Sequence, residues 1–207
     1  MTRYLIDIRI MGPVQREIRA LSSNLQERFR IADNLTVPHI TLAGPFSTSD
    51  EARLVTDFTR TCTEQTGVPG YELGGFGFFD QTRAVFAEVF PDEGLRQFRF
   101  TLATVIAPYC TLREYDRVPA EAFRFHATLA MKLNWFALWR IKRYIRSQEP
   151  IRHRRHPVRV TLLRNAKVLC EYDFVQARML TPAQARSRAT RLRDRDALRP
   201  WDETGGG

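Results

Sequence analysis

The chain has 207 residues, with 32 Lys and Arg against 23 Asp and Glu and a net charge of +9. This length allows one domain or two small lobes with a sizeable core. No apolar run approaches the roughly 20 residues of a membrane span, and the three cysteines lack CxxC spacing. We therefore expect a cytoplasmic protein with reduced thiols and without a signal peptide, a membrane span or a cysteine-bound metal.

The excess of positive charge favours polyanionic partners such as nucleic acids or nucleotides. It is concentrated between Arg140 and Lys167, where ten basic residues accompany a single acidic residue, Glu149. No feature of the sequence indicates an obligate protein partner.

The first part of the chain alternates predicted strands and helices. Apolar alternation predicts a strand over residues 4–10, and helical spacing of apolar residues predicts a helix over 13–29. A second strand surrounds His39 and ends at Gly44. The residues that follow have the spacing of a capping box, which predicts Thr48 as the N-cap of a second helix.

The middle of the chain contains a predicted hairpin and a third helix. Residues 71–79 and 84–90 are predicted as its two strands, with the turn at 80–82. Apolar spacing predicts a helix over 95–106, and the polar segment 111–122 is predicted to be a loop that joins two halves of the molecule.

The last part of the chain follows a similar scheme, with strands predicted at 124–132, 158–163 and 168–175. Asn134 is predicted to cap a fourth helix. Thr181 is predicted to cap a final helix from Pro182 to about residue 198. We expect a bilobed domain over residues 1–181, followed over 182–207 by a peripheral helix and a flexible tail.

One motif occurs twice, 87 positions apart: His39-Ile40-Thr41-Leu42-Ala43 and His126-Ala127-Thr128-Leu129-Ala130. On a strand, residues two apart point to the same face. Each histidine therefore shares a face with its threonine, and the apolar residues take the other face. Two such strands facing each other would place two imidazoles and two hydroxyls around one cavity, which suits proton transfer at a phosphate.

The order of predicted elements is nearly the same in the two halves of the chain. This repetition predicts an α+β fold with two pseudo-symmetric lobes of mostly antiparallel sheet and outer helices. The two motif strands would line an active-site cleft between the lobes.

The paired His-x-Thr-Leu motifs, at this separation and in this strand context, resemble the two-histidine (2H) phosphoesterase superfamily. Within it they are similar to the RNA 2',3'-cyclic phosphodiesterases, also called 2'-5' RNA ligases. The resemblance covers residues 2–180 and implies the bilobed fold. It also implies hydrolysis of a 2',3'-cyclic phosphate at RNA ends to a 2'-phosphate, without metal or other cofactor. The same chemistry run backwards would be 2'-5' ligation.

The resemblance assigns roles to the four motif residues. The histidines of the family act as general acid and base, and these roles fall on His39 and His126. The threonines hold the phosphate oxygens, and this role falls on Thr41 and Thr128. Which histidine is the base stays open, because it depends on the orientation of the substrate.

Two further residues are candidates for substrate contact. Phe79 could stack on a base and Arg83 could pair with a phosphate, with core packing and a surface charge as the alternatives. The sequence departs from the family pattern at Phe125, where many members have a proline like Pro38 before the histidine. We expect this change to alter the entry into the second strand without loss of the chemistry.

Two other functions stay open. The chain could be a non-catalytic RNA-binding protein that uses the basic Arg140–Lys167 face, or a phosphodiesterase for another 2'-linked or cyclic nucleotide. His153 and His156 lie among arginines. We expect them to be loop or phosphate-contact residues, not catalytic ones.

Overall fold

The structure is a computed structural model that describes residues 2–32 and 37–203, and of residues 198–203 the backbone alone. The predicted flexible glycine end, 205–207, lies outside the described residues.

The described residues contain nine strands that form one sheet. The strands are β1 (Tyr4–Arg9), β2 (His39–Phe46), β3 (Tyr71–Phe79), β4 (Ala84–Pro91), β5 (His126–Ala130), β6 (His153–Arg155), β7 (Arg159–Arg164), β8 (Lys167–Asp173) and β9 (Arg178–Leu180). Their spatial order is β6-β3-β4-β5-β2-β1-β7-β8-β9, and each neighbouring pair is antiparallel.

Six α-helices accompany the sheet within the described ranges. They are α1 (Pro13–Phe29), α2 (Glu51–Glu64), α3 (Glu93–Ile106), α4 (Trp135–Ile145), α5 (Pro182–Ala185) and α6 (Arg188–Glu203). The prediction of an α+β fold with a mostly antiparallel sheet and outer helices is confirmed.

The two predicted lobes are the two halves of this sheet. One half comprises β6, β3, β4 and β5 and is covered by α1 and α4, whereas α2 and α3 cover the half that begins at β2. The halves meet between β2 and β5. Within the described residues, Ile40 and Ala127 form the single cross-strand pair between these two strands. Helix α1 lies between β1 and β2 in sequence but packs on the other half, where Phe29 contacts Tyr144 of α4.

The alternation of the motif strands separates the core from the open face of the sheet. Four apolar side chains beneath the helices are almost fully buried: Ile40, Leu42, Ala127 and Leu129. The histidines and threonines between them are half-buried on the opposite face. Because burial of a Leu or Ile side chain contributes about 1.5–3 kcal/mol, this pattern fixes which face of each strand is open.

A buried ion pair attaches the connection between the lobes to β2. Arg99 of α3 is fully buried and donates to the carbonyl of Leu42 at 3.0 Å and to that of Asp116 at 3.0 Å. The Asp116 carboxylate accepts from the backbone N–H of Gly44 at 3.1 Å. Burial lowers the pKa of Arg99 to about 10, so the guanidinium stays charged at neutral pH. The predicted loop 111–122 is thus held in place and contains two short 3-10 helices.

Two predicted helix caps are confirmed and one is wrong. Asn134 caps α4, and Thr181 forms a capping box at α5. The N-cap of α2 is Asp50, whose carboxylate accepts the backbone N–H three residues on at 2.9 Å. Thr48 lies outside the helix because its hydroxyl donates to the carbonyl of Tyr109 at 3.2 Å.

The predicted final helix is two helices, α5 and α6, separated at residues 186–187. Both contact the sheet through Arg159 of β7, which donates to the carbonyl of Ala185 at 3.1 Å and pairs with Asp194. The division of the chain at residues 181 and 182 stays a prediction. Two short edge strands, β6 and β9, are absent from the sequence-based prediction.

Helix α4 has one buried side and one exposed aromatic side. Its outward residues Trp135, Phe136 and Trp139 are 63%, 67% and 60% exposed. The helix contains three basic residues and no acidic ones. Among the described residues, no helix combines the length and apolar character that a membrane crossing requires.

Candidate active site

The four motif side chains lie together at the centre of the sheet. Strands β2 and β5 are antiparallel neighbours in which Ile40 pairs with Ala127. Antiparallel pairing then sets His39 across from Thr128, and Thr41 across from His126. In a regular ladder, residues in the diagonal relation of the two histidines lie about 7–8 Å apart. The two imidazoles thus share the open face at this strand pair, close enough for the charge of His39 to act on His126.

Both imidazoles are held by the same backbone contact. Nδ1 of His39 lies 2.8 Å from the carbonyl oxygen of Val37, and Nδ1 of His126 lies 2.9 Å from that of Arg124. A carbonyl oxygen only accepts, so each Nδ1 carries the hydrogen and donates it. Neither Nε2 has a hydrogen-bond partner among the described residues, and each is therefore available to a substrate.

The residues before the two histidines also behave alike. The carbonyl of Pro38 accepts from the N–H of Ile10 at 2.9 Å, and that of Phe125 accepts from the N–H of Val89 at 3.4 Å. The expectation that Phe125 changes the entry into the second strand stays a prediction. The contact uses the carbonyl group, which proline and phenylalanine share.

His126 lies in an aromatic environment. The ring of Phe79 meets it edge-on at a centroid distance of 4.9 Å, and the ring of Phe86 lies at 5.2 Å. The Arg124 guanidinium stacks on Phe86 at 4.9 Å and pairs with Glu88 at 2.6 Å. These rings cover part of the imidazole, which is half-buried.

This environment changes the protonation of His126. Burial is the main cause that lowers its pKa, and the positive charges of His39 and Arg124 act in the same direction. The hydrogen bond to the Arg124 carbonyl opposes them. The neutral imidazole is thereby favoured, with a lone pair on Nε2 that can accept a proton.

Phe79 and Arg83 occupy different places. Phe79 lies against His126, supported by Phe86; a Cβ at Gly77 would come within 2.2 Å of the Phe86 ring, so glycine is required there. Arg83 lies in the hairpin turn with φ of 51° and donates its backbone N–H to the carbonyl of Asp80. Its guanidinium makes no hydrogen bond or ion pair with another described residue.

His39 lies in a charged environment. Arg9 of β1 is its cross-strand partner, and Asp7 is the partner of Thr41, so both side chains share the open face. Asp7 is 3% exposed, and its Oδ1 has no hydrogen-bond partner among the described residues. Burial raises the pKa of Asp7 to about 6, against the opposing positive charges of His39 and Arg9.

The charged environment of His39 continues across β7 and β8. Thr161 pairs with Asp7 in the sheet and donates to Glu171 at 3.1 Å. Glu171 in turn forms ion pairs with Arg9 at 3.7 Å and with Arg159 at 3.0 Å. Through the pair of Arg159 with Asp194, this network reaches α6.

The neighbours of the histidines were not predicted from the sequence. Asp7 and Arg9 belong to a strand whose alternation is visible, but their contact with β2 depends on register. Arg124 lies two residues before His126, just as Val37 lies two residues before His39. This shared spacing is the feature of the sequence that could have identified Arg124 as a neighbour of the site.

The basic Arg140–Lys167 segment does not form one face. His153–Arg155 is the edge strand β6, whereas Arg159 belongs to β7 six strands away. Several of the basic side chains have acidic partners: Lys142 with Asp80, His153 with Glu17, Arg159 with Glu171 and Arg164 with Glu51. The interpretation of this segment as one basic face is wrong, because the sheet order separates its members.

The family model of the 2'-5' RNA ligase superfamily matches residues 12–168. The chain belongs to this superfamily, the 2H phosphoesterases. The resemblance stated from the two motifs is confirmed, and the chain is a phosphoesterase that acts on phosphodiester or cyclic phosphate groups. No curated protein matches the chain.

Solved structures agree with this 2H phosphoesterase fold. A crystal structure of a phosphoesterase has a TM-score of 0.51 and 18% identity, covering 84% of this chain and 98% of that one. The apo form of E. coli LigT has a TM-score of 0.50 and 18% identity, covering 87% and 95%. Usb1 of Kluyveromyces marxianus with uridine monophosphate is more distant, with a TM-score of 0.41, 11% identity, and coverage of 81% and 96%. At these identities the similarity is one of fold.

Proposed function

We propose that this 2H phosphoesterase hydrolyses the 2',3'-cyclic phosphate at RNA ends and leaves a 2'-phosphate, without a metal or other cofactor. One observation carries the proposal. His39 and His126 lie on neighbouring strands with both Nδ1 hydrogens held by carbonyls, and neither Nε2 atom is hydrogen-bonded to another residue in the part of the chain that the structure describes.

The two histidines would have different roles. Burial favours the neutral form of His126 by lowering its pKa, so His126 is the base that removes a proton from the attacking water. His39, which shares the open face with the buried Asp7, is then the acid. The water oxygen bonds to phosphorus as the bond from phosphorus to O3' breaks. His39 donates its Nε2 proton to O3', giving a 3'-hydroxyl and a 2'-phosphate.

The threonines would stabilise the charge that develops on the phosphate. Thr41 and Thr128 flank the two histidines on the same face, and their hydroxyls can donate to the non-bridging oxygens. Phe79, next to His126, would pack on the terminal nucleoside. Arg83 is farther along the hairpin and is proposed to contact a phosphate of a longer strand.

The same groups could catalyse 2'-5' ligation if a 5'-hydroxyl replaced water as the nucleophile. O5' would bond to the cyclic phosphorus as the bond from phosphorus to O3' breaks, with His126 taking the 5'-hydroxyl proton and His39 giving a proton to O3'. Other 2'-linked or cyclic nucleotides could be cleaved by the same site. The reduced state of Cys62, Cys110 and Cys170 is consistent with the cytoplasmic location that we propose.

A hydrolysis assay tests the proposal. RNA ending in a 2',3'-cyclic phosphate is incubated with the protein in excess EDTA, and the product end is identified by mass and by phosphatase sensitivity. We expect a 2'-phosphate product and its loss in His39→Ala and His126→Ala. His153→Ala is the matched control, because this histidine pairs with Glu17 at the far edge of the sheet. Activity that survives both motif substitutions would exclude the mechanism.

A further inference from the structure

A cavity of about 870 Å³ lies beside His39. Arg9 and Val37 form its wall on the side of the active site. Arg9 is the cross-strand partner of His39, and the Val37 carbonyl holds the His39 imidazole. The cavity therefore adjoins the position where the cyclic phosphate is proposed to bind.

The opposite wall of the cavity comes from the C-terminal segment. Pro182, Ala185 and Arg186 of the α5 region and Arg191 and Asp194 of α6 line it. Arg159 fixes this wall to the sheet, because its guanidinium is buried and contacts both the Ala185 carbonyl and Asp194. The family match ends at residue 168, so this wall lies outside the region that the match covers.

The charge of the lining is strongly positive, with five basic side chains against two acidic ones. Both acidic groups are already paired, Glu171 with Arg9 and Arg159, and Asp194 with Arg159. The side chains of Lys167 and Arg191 make no hydrogen bond or ion pair with another described residue, although both backbones take part in secondary structure. Two cations without side-chain partners thus face the same cavity, in addition to Arg186, whose guanidinium donates to the Pro182 carbonyl.

The first turn of α1 adds to this field. Gly12 and Gln15 line the cavity, and α1 has neither a side-chain cap nor an acidic residue in its first turn. The backbone N–H groups at the start of this helix, like the cations, favour an anion.

We propose that this cavity binds a backbone phosphate of the RNA strand 5' to the cyclic end, held by Lys167 and Arg191. This proposal rests on the proposed function and narrows it. The substrate is an oligoribonucleotide with a cyclic end, and a mononucleoside 2',3'-cyclic phosphate lacks the group that the cavity recognises.

The test compares two substrates, adenosine 2',3'-cyclic phosphate and a triadenosine oligonucleotide with the same cyclic end. The wild-type protein is expected to prefer the trinucleotide in kcat/KM. The double variant Lys167→Gln with Arg191→Gln is expected to lose about tenfold in kcat/KM for the trinucleotide, as for a lost charge-assisted hydrogen bond. Its kcat/KM for the mononucleotide should stay unchanged.

Arg188→Gln with Arg195→Gln is the matched control, because these exposed arginines belong to α6 but do not line the cavity. An equal loss for both substrates, or the same loss in the control, would overturn the cavity proposal and leave the proposed function intact. Failure of the wild-type protein to open either cyclic phosphate would instead remove the proposed function. In that case calorimetry measures binding of the trinucleotide. Binding that is weakened only by the Lys167 and Arg191 substitutions supports the cavity proposal, and unchanged binding overturns it.

Discussion

The two copies of the His-x-Thr motif share their backbone geometry and differ in their surroundings. Each histidine donates Nδ1–H to the carbonyl two residues earlier, at 2.8 Å for His39 and 2.9 Å for His126. Around His126 lie the rings of Phe79 and Phe86, and around His39 lie the charged groups of Asp7 and Arg9.

This difference indicates how a repeated element can serve two opposite steps. The shared carbonyl contact sets the tautomer and the direction of each ring, so both histidines present Nε2. The neighbours then differ: burial lowers the pKa of His126 and favours its neutral form, whereas the charged side chains of Asp7 and Arg9 share the face of His39. The two motif strands orient both histidines in the same way. Side chains from adjacent strands then give each histidine a different environment.

The largest effect is expected from replacing each histidine separately. His126→Ala and His39→Ala should each lower kcat/KM by about 100- to 10,000-fold, the usual contribution of one proton transfer. The pH dependence of the residual kcat/KM distinguishes the roles of base and acid. Loss of the base should remove the acid limb of the pH–kcat/KM profile, and loss of the acid should remove the alkaline limb. The same limb removed by both substitutions would contradict the assignment.

Removing the hydroxyls should have the next largest effect. Thr41→Val and Thr128→Val keep the shape of the side chain but remove a donor, and should lower kcat by about 10- to 100-fold. Steady-state kinetics on the cyclic-ended RNA measure this effect. Thr56→Val is the control, since this exposed hydroxyl donates to the Ala52 carbonyl within α2. Unchanged kcat in both motif variants would show that the hydroxyls do not contact the phosphate.

Asp7→Asn should separate stability from activity. The pKa of Asp7 is about 6 in the folded protein, above its ordinary value. Below about pH 3 the group is protonated in both states, and it then leaves the free energy of unfolding unchanged. As the pH rises, the unfolded chain ionises first, so the folding free energy is reduced by up to about 3 kcal/mol above pH 6. Asp7→Asn should therefore stabilise the protein at pH 8 and have little effect at pH 3.

The same substitution should lower kcat/KM by about tenfold, because His39 loses a neighbouring negative charge. Urea unfolding followed by circular dichroism, together with kinetics at pH 8, measures both effects. Asp80→Asn is the control, since its exposed carboxylate pairs with Lys142 at the surface. A variant that is destabilised at pH 8, or equally stabilised at both pH values, would show that Asp7 is not a costly buried carboxylate.

The smallest effect concerns Arg124. Its charge is one of the groups that lower the pKa of His126. Arg124→Gln keeps the backbone carbonyl that orients the imidazole and removes the charge. The pKa of His126 should rise, and the acid limb of kcat/KM should move to higher pH. Arg124→Lys keeps the charge and should leave the limb in place; an acid limb that moves equally in both variants would exclude this electrostatic role.

Residues with a strong local pattern were predictable from the sequence. The His39 and His126 strands were recognised because alternation separates His and Thr from the buried Ile40, Leu42, Ala127 and Leu129. The caps at Asn134 and Thr181 depend on contacts within three residues. The antiparallel sheet and its outer helices followed from the order of these elements.

Features that depend on distant partners were not predictable. Asp7 becomes part of the site only through its register with Thr41, and Arg124 only through its contacts with Glu88 and Phe86. Thr48 had the spacing of a cap but is held by Tyr109, 61 residues later. The basic residues of the 140–167 segment are close in sequence, but the strand order of the sheet separates them in space.

The exposed aromatic side of α4 determines what intrinsic fluorescence can report. Two of the three tryptophans of the chain, Trp135 and Trp139, lie on that side and are 63% and 60% exposed. In the native state their emission maximum is expected near that of water-exposed indole. Denaturation should therefore shift the emission maximum of these two tryptophans little. Quenching on titration with single-stranded RNA would instead report a ligand that covers α4, away from the histidines.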